Sequence, residues 1–221
     1  MENSEGFQKY EHVRKTEEVM SAESLAYYLE MNKRRSIRNF SLDKFDIEII
    51  KTAIKTANTA PSGANKQPWF YAIVQSSEIK KQIREAAEKE EFENYHGRMS
   101  DEWLDDLKKF GTNHIKEFLE IAPYLVVVFK QVYGFENGQK QNNYYVNESV
   151  GISVGMFLSA IHKSGLVALT HTPSPMNFLA KVLDRPENER AYLLIPVGYP
   201  SVDVQVPMIK RKSIDDVSRV Y

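Results

Sequence analysis

Apolar residues in this chain recur at helical spacing in some stretches and in near-continuous runs in others, a pattern that predicts a sheet covered by helices. Between about Asp46 and Asn58, the residues Ile49, Ile50, Ala53, Ile54 and Ala57 recur at helical intervals, which marks an amphipathic helix. An earlier helix is expected from Ser21 as N-cap, running through Leu25, Tyr28 and Leu29, and both helices are expected to face a core. Residues 69–74 read as a strand, 77–92 as a charged helix, and 123–129, rich in valine, as a buried strand. A long helix is predicted over 144–162, where Gly151, Gly155 and Ser159 recur every four residues. Such a stripe suits close packing against the core or another subunit. Strands at 166–170 and 192–197 follow, with a helix near 178–183 between them.

Helices outnumber strands, so the expectation is an α+β fold with a central sheet flanked by helices on both sides. No internal repeat or low-complexity linker divides the chain; residues 1–20 read as a terminal arm and 21–221 as a single domain. With 29 basic against 30 acidic residues and a net charge of −1, no global field draws the chain to nucleic acid or an anionic membrane. Cysteine is absent, which excludes disulfides, thiolate metal sites and cysteine nucleophiles. The five histidines, His12, His96, His114, His162 and His171, lack ligand spacing on one helix face, so no metal is expected. The N-terminus has no apolar signal region, and the longest apolar run, about 150–161, is too short to span a bilayer. A cytoplasmic protein with no membrane partner is expected.

Candidate chemistry begins at RRSIR, residues 34–38. Arg34, Arg35, Arg38 and Ser36 offer forked donors and a hydroxyl suited to a phosphate; an exposed basic helix end is the plainer alternative. TAPSGANKQPW follows at 59–69, where small residues let backbone N–H groups approach a flat ligand, with Gly63 free to adopt positive φ. The alternative there is an ordinary helix stop. Lys210, Arg211 and Lys212 add a third basic segment. No Gly-x-Gly-x-x-Gly fingerprint or P-loop occurs, so a mononucleotide suits the chain better than a dinucleotide. Glu91 and Tyr95, four apart, would share a helix face, with Lys116 on a later segment. By residue type they provide an acidic acceptor and two donors, for which surface salt bridging is the plain reading.

From about Arg34 to about Lys212, the motifs RRSIR, TAPSGA, EEFENY, DLKKFGTNHIKE, FKQVYGF, THTP and PVGYPS, in that order, resemble the nitroreductase-like FMN flavoproteins, and among them the iodotyrosine deiodinases. Residues 91–116 carry the more specific likeness, to a substrate lid at about 88–117. The resemblance implies a nitroreductase-like fold with a central mixed sheet and an intertwined homodimer. It implies FMN held at Arg34, Arg35, Ser36, Ile37, Arg38 and Arg211, with Ser62 and Gly63 along the ring and Thr170, His171 and Thr172 opposite. Thr172 is the implied catalytic residue, its hydroxyl facing flavin N5, where a donor favours one-electron chemistry. The implied substrate is a halogenated tyrosine, bound by the Ala64 N–H, Glu91, Tyr95 and Lys116. The electron donor would be NAD(P)H or a reductase partner such as a ferredoxin or flavodoxin. A general NAD(P)H-dependent nitroreductase or quinone reductase, or a halotyrosine-binding protein without turnover, is the rival reading.

Overall fold

A computed structural model describes residues 6–221, so residues 1–5 of the expected arm lie outside the described residues. The chain divides into two compact units, residues 1–34 and 35–221.

In the first unit α1 spans Glu17–Lys33. Its N-cap is Thr16, whose hydroxyl accepts from the Val19 N–H, with Glu17 and Glu18 in the first turn and Lys33 in the last complementing the helix dipole. The expected start at Ser21 is therefore corrected, because a capping threonine and two acids favour an earlier start. The expected core face is corrected too. No residue of α1 is buried, and Leu25, Tyr28 and Leu29 are each more than half exposed, since its apolar residues do not gather on one face.

The second unit is built on four strands, β1 (Trp69–Val74), β2 (Tyr124–Gln131), β5 (Val167–Ala168) and β6 (Glu189–Gly198), in the order β1-β2-β6-β5. The ladders are antiparallel, with Val74 opposite Leu125 and Val126 opposite Ile195. A parallel bridge from Ser36 to Ala168 gives the sheet its mixed character. A hairpin of β3 (Tyr133–Glu136) and β4 (Gln139–Asn142) stands apart. The expected strand over 166–170 is shorter in the structure. The Leu169 N–H donates to the Pro196 carbonyl at 3.3 Å, but proline has no N–H to return the bond.

Both faces of the sheet are covered, which is why β2 reads as a continuous apolar run rather than an alternating one. Tyr124, Val126 and Val128 pack with α2 (Ile47–Ala57) and α6 (Val146–Lys163). Leu125, Val127 and Phe129 pack on the opposite face with α3 (Ser77–Glu93), α5 (Phe118–Ile121) and α7 (Asn177–Val182). Helix α2 forms where its stripe predicts: Asp46 caps it by accepting from the Glu48 N–H at 2.9 Å, and Ile50, Ala53 and Ala57 are buried. Along α6 the small-residue stripe is close-packed within the chain at Gly151, where a Cβ would come 3.3 Å from the Tyr192 hydroxyl; at Gly155 a Cβ would meet nothing within 4 Å. After α3 the chain makes a π-helical turn over Asn94–Arg98 and then α4 (Asp101–Lys108), capped by Ser100. Among the described residues no helix is long and apolar enough to cross a membrane.

Candidate active site

The loop after α2 is shaped by its backbone. Ser62 accepts from the Gln67 N–H at 2.9 Å, and the chain adopts the left-handed region at Ala64 (φ 51°), Asn65 (φ 53°) and Gln67 (φ 48°). Gly63 does not use its freedom to adopt positive φ, since it is the residues after it that turn left-handed. Gly63 has a steric reason instead: a Cβ there would lie 2.9 Å from the Tyr144 carbonyl oxygen and 3.0 Å from the Tyr144 Cβ. Left-handed geometry costs a non-glycine residue about 1–2 kcal/mol. Strain of this kind, retained at Ala64 and Asn65 in succession, is typical of loops shaped around a ligand.

The residues of RRSIR take different positions. Arg34 belongs to the first unit, where its N–H donates to the Met31 carbonyl at 3.1 Å. In the second unit the Arg35 guanidinium donates to the Pro207 carbonyl, tying this strip to the C-terminal segment that carries the exposed Arg211. Ile37 is buried and its N–H donates to the Ala168 carbonyl at 3.2 Å, so that it anchors its neighbours to the sheet. Arg38 lies 5.7 Å from the Phe110 ring, and burial lowers its pKa against the opposing influence of Tyr95. Ser36, Arg38, Phe110, Asn113, Ser201 and Pro207 are among the residues lining a cavity of about 520 Å³.

The three residues proposed for the amino acid come together. Lys116 Nζ lies 3.2 Å from a Glu91 carboxylate oxygen, with both side chains buried, and 5.5 Å from the centre of the Tyr95 ring. It also reaches the Thr112 hydroxyl at 3.3 Å and the Asn113 carbonyl. Burial raises the Glu91 pKa and lowers that of Lys116, each against the attraction of the other. Burial also raises the Tyr95 pKa, so its phenol keeps its proton. The two arms holding this trio are fastened below it: the Lys116 N–H donates to the Glu88 carboxylate at 2.7 Å, and Arg84 pairs with Glu88 at 2.7 Å and Glu120 at 3.2 Å. Lys80 donates to the Glu120 and Ala122 carbonyls at 2.7 and 2.9 Å.

Thr170, His171 and Thr172 follow β5. The two threonines are exposed and His171 is buried, held by reciprocal backbone bonds to Leu194 at 2.9 and 3.0 Å. Its Nε2 is buried without a hydrogen-bond partner. Burial, with Lys116 and Arg38 nearby, pushes its pKa down to about 3. Sequence reasoning missed Asn94, buried between Glu91 and Tyr95, and Thr112 beside Lys116; the only available signal was their place within EEFENY and GTNHIKE.

These residues suit a flavin mononucleotide. A glycine with no room for a Cβ, two successive left-handed residues that shape the loop after it, the partly buried Arg38 at the edge of the cavity and an orphaned buried imidazole nitrogen are all features that a flat polar ligand would use. Among the described residues no group of three histidines, aspartates or glutamates is placed to hold a metal ion.

Residues 31–199 match the model of the Nitroreductase family. The chain is 57% identical over 205 residues to an iodotyrosine deiodinase of Haliscomenobacter hydrossis, covering 92% of each chain. It is 45% identical over 210 residues to iodotyrosine deiodinase 1 of Mus musculus, covering 94% of this chain and 74% of that one. A crystal structure of oxidized iodotyrosine deiodinase bound to FMN and 3-iodo-L-tyrosine matches with a TM-score of 0.75 and 32% identity, over 88% of this chain and 100% of that one. A BluB-like flavoprotein from Clostridium difficile, at 21% identity and a TM-score of 0.67, over 87% of this chain and 97% of that one, shares the fold. Sheet, loop and sequence agree: the chain belongs to the nitroreductase family, in its iodotyrosine deiodinase group.

Proposed function

We propose that this protein is an FMN-dependent reductive dehalogenase of halogenated L-tyrosine that yields tyrosine and halide. The observation that carries this reading is the buried trio of Glu91, Tyr95 and Lys116. A buried ion pair gives up hydration for each charge, and here burial drives both partners toward their neutral forms. An amino-acid zwitterion brings the complementary charges: Glu91 accepts from its ammonium, while Lys116 and Tyr95 donate to its carboxylate. The deiodinase relatives at 57% and 45% identity support the same substrate.

Bound and reduced, FMN supplies two electrons, which with one proton replace a carbon–iodine bond by carbon–hydrogen and release iodide. Arg34, Arg35, Ser36, Ile37, Arg38 and Arg211 would hold its phosphate and ring edge. Ser62 and Gly63 would lie along the ring, with Thr170, His171 and Thr172 opposite and the Thr172 hydroxyl at N5. The Ala64 N–H would donate to the substrate phenolate. An ortho halogen lowers the phenol pKa below the roughly 10 of tyrosine, so halotyrosine reaches this state more readily than the product.

Residues 88–117 act as the substrate lid of a domain spanning 21–221, with 1–20 as its arm; the Glu88–Lys116 bond at its base supports those lid limits. The working unit is a homodimer, for which the exposed Ile152, Met208, Ile209 and Val220 and the open space at Gly155 are the support. Its electrons come from NAD(P)H or a reductase partner, which puts its work in the cytoplasm, where such reductants are supplied.

The test compares 3-iodo-L-tyrosine with 3-iodotyramine, which lacks the carboxylate, and N-acetyl-3-iodotyrosine, which lacks the ammonium, by quenching of bound-flavin fluorescence. The parent should bind at least tenfold more tightly than either. Equal affinity for all three would overturn the clamp and favour a broad nitroreductase.

A further inference from the structure

Asn94 is buried at the junction of α3 and the π-helical turn, between the two lid residues that would grip substrate. Its backbone N–H closes α3 against the Glu90 and Glu91 carbonyls, and its own carbonyl accepts from the Met99 N–H at 2.9 Å. Its side chain does something unrelated to capping. Nδ2 donates at 2.8 Å to the Ser174 carbonyl, 80 residues along the chain. The Ser174 N–H donates in turn to the Thr172 carbonyl at 2.8 Å. Two hydrogen bonds therefore lead from the lid pivot to the backbone of the threonine assigned to flavin N5.

We propose that Asn94 is a positioning residue that couples the lid to Thr172: when substrate draws in Glu91 and Tyr95, the Asn94 amide sets the 172–174 turn and with it the Thr172 hydroxyl. This rests on the halotyrosine reading above. Three features support it. The π-helical turn is a form that recurs at functional sites, and it begins at Asn94 itself. The acceptor is a backbone carbonyl, so no other side chain is needed for the signal to arrive. Ser174 is exposed and its bond to Asn94 only partly buried, so losing the donor leaves no fully buried acceptor unpaired and should loosen the 172–174 turn more than it lowers global stability.

The test uses the FMN-loaded protein with Asn94→Leu and Asn94→Asp, near-isosteric changes that remove the donor. Without substrate, amide exchange over residues 170–176 should quicken about tenfold in both variants while the sheet is unchanged. With 3-iodo-L-tyrosine, the dissociation constant should stay within about threefold of wild type, because the trio is intact, while kcat falls at least tenfold. Unchanged exchange over 170–176 would overturn the coupling. So would unchanged kcat, or parallel losses of affinity, kcat and thermal stability, which would mean a merely structural role. If the wild type neither binds nor converts 3-iodo-L-tyrosine, the substrate reading fails, and the substrate-free exchange still decides whether Asn94 holds the 172–174 turn.

Discussion

The ammonium of Lys116 stands 3.2 Å from the carboxylate of Glu91 in a site where their side chains are 4% and 8% exposed. Both pKa values are displaced toward the neutral form by burial, so desolvation outweighs attraction for each partner. Removing one partner of a buried pair typically costs about 3–5 kcal/mol. Here the survivor can shed its charge, so Glu91→Gln and Lys116→Met should each lose less than that, and the double variant should regain most of the loss. All three should lose more than tenfold in affinity for 3-iodo-L-tyrosine. Thermal unfolding and flavin fluorescence titration measure the two quantities separately.

Binding should also depend on pH within a narrowed window. The zwitterion requires Glu91 ionised and Lys116 protonated. The Glu91 pKa is raised above its ordinary 4.5 and that of Lys116 lowered below 10.5, so affinity should decline from both sides inside those limits. Titrations across pH with the N-acetyl compound as control should reveal this, since that ligand makes no demand on Glu91.

Gly63→Ala should impair flavin retention more than folding. The added Cβ meets the backbone carbonyl of Tyr144 at 2.9 Å, which has no rotamer by which to move aside. The loop must shift, carrying Ala64 out of its left-handed conformation. Flavin content per chain should fall severalfold while the circular dichroism spectrum is retained.

Much of the scaffold was legible in the sequence because burial on two faces or on one face leaves distinct patterns. The valine run of β2 and the isoleucine stripe of α2 each appear where expected. Helix α1 was misread as a core helix because Leu25, Tyr28 and Leu29 sit at helical spacing, yet the apolar residues of the helix as a whole do not gather on one face. At the site, charge type and order marked Glu91, Tyr95 and Lys116. Gly63 stood out for its lack of bulk, but what it makes room for, Tyr144, is distant in sequence. The burial of His171 and the reach of Asn94 to Ser174 arise from tertiary packing and leave no local trace.

His171 should contribute a distinct acid limb to stability. Its pKa falls from 6.5 in the unfolded chain to about 3 when folded. Its contribution is therefore fully present above about pH 6.5 and is lost as pH falls toward 3, because the unfolded chain takes up a proton that the folded one refuses. The wild type should lose stability relative to His171→Leu by up to about 1.4 kcal/mol per pH unit in that window. Urea unfolding of both proteins at matched flavin content, from pH 7 to pH 4, measures the difference.

The most direct measurement is a single anaerobic turnover, in which flavoprotein reduced by dithionite and freed of excess reductant is mixed with 3-iodo-L-tyrosine. The account predicts one tyrosine and one iodide for each flavin reoxidised. A flavin that stays reduced, with 3-iodo-L-tyrosine recovered intact, would contradict it.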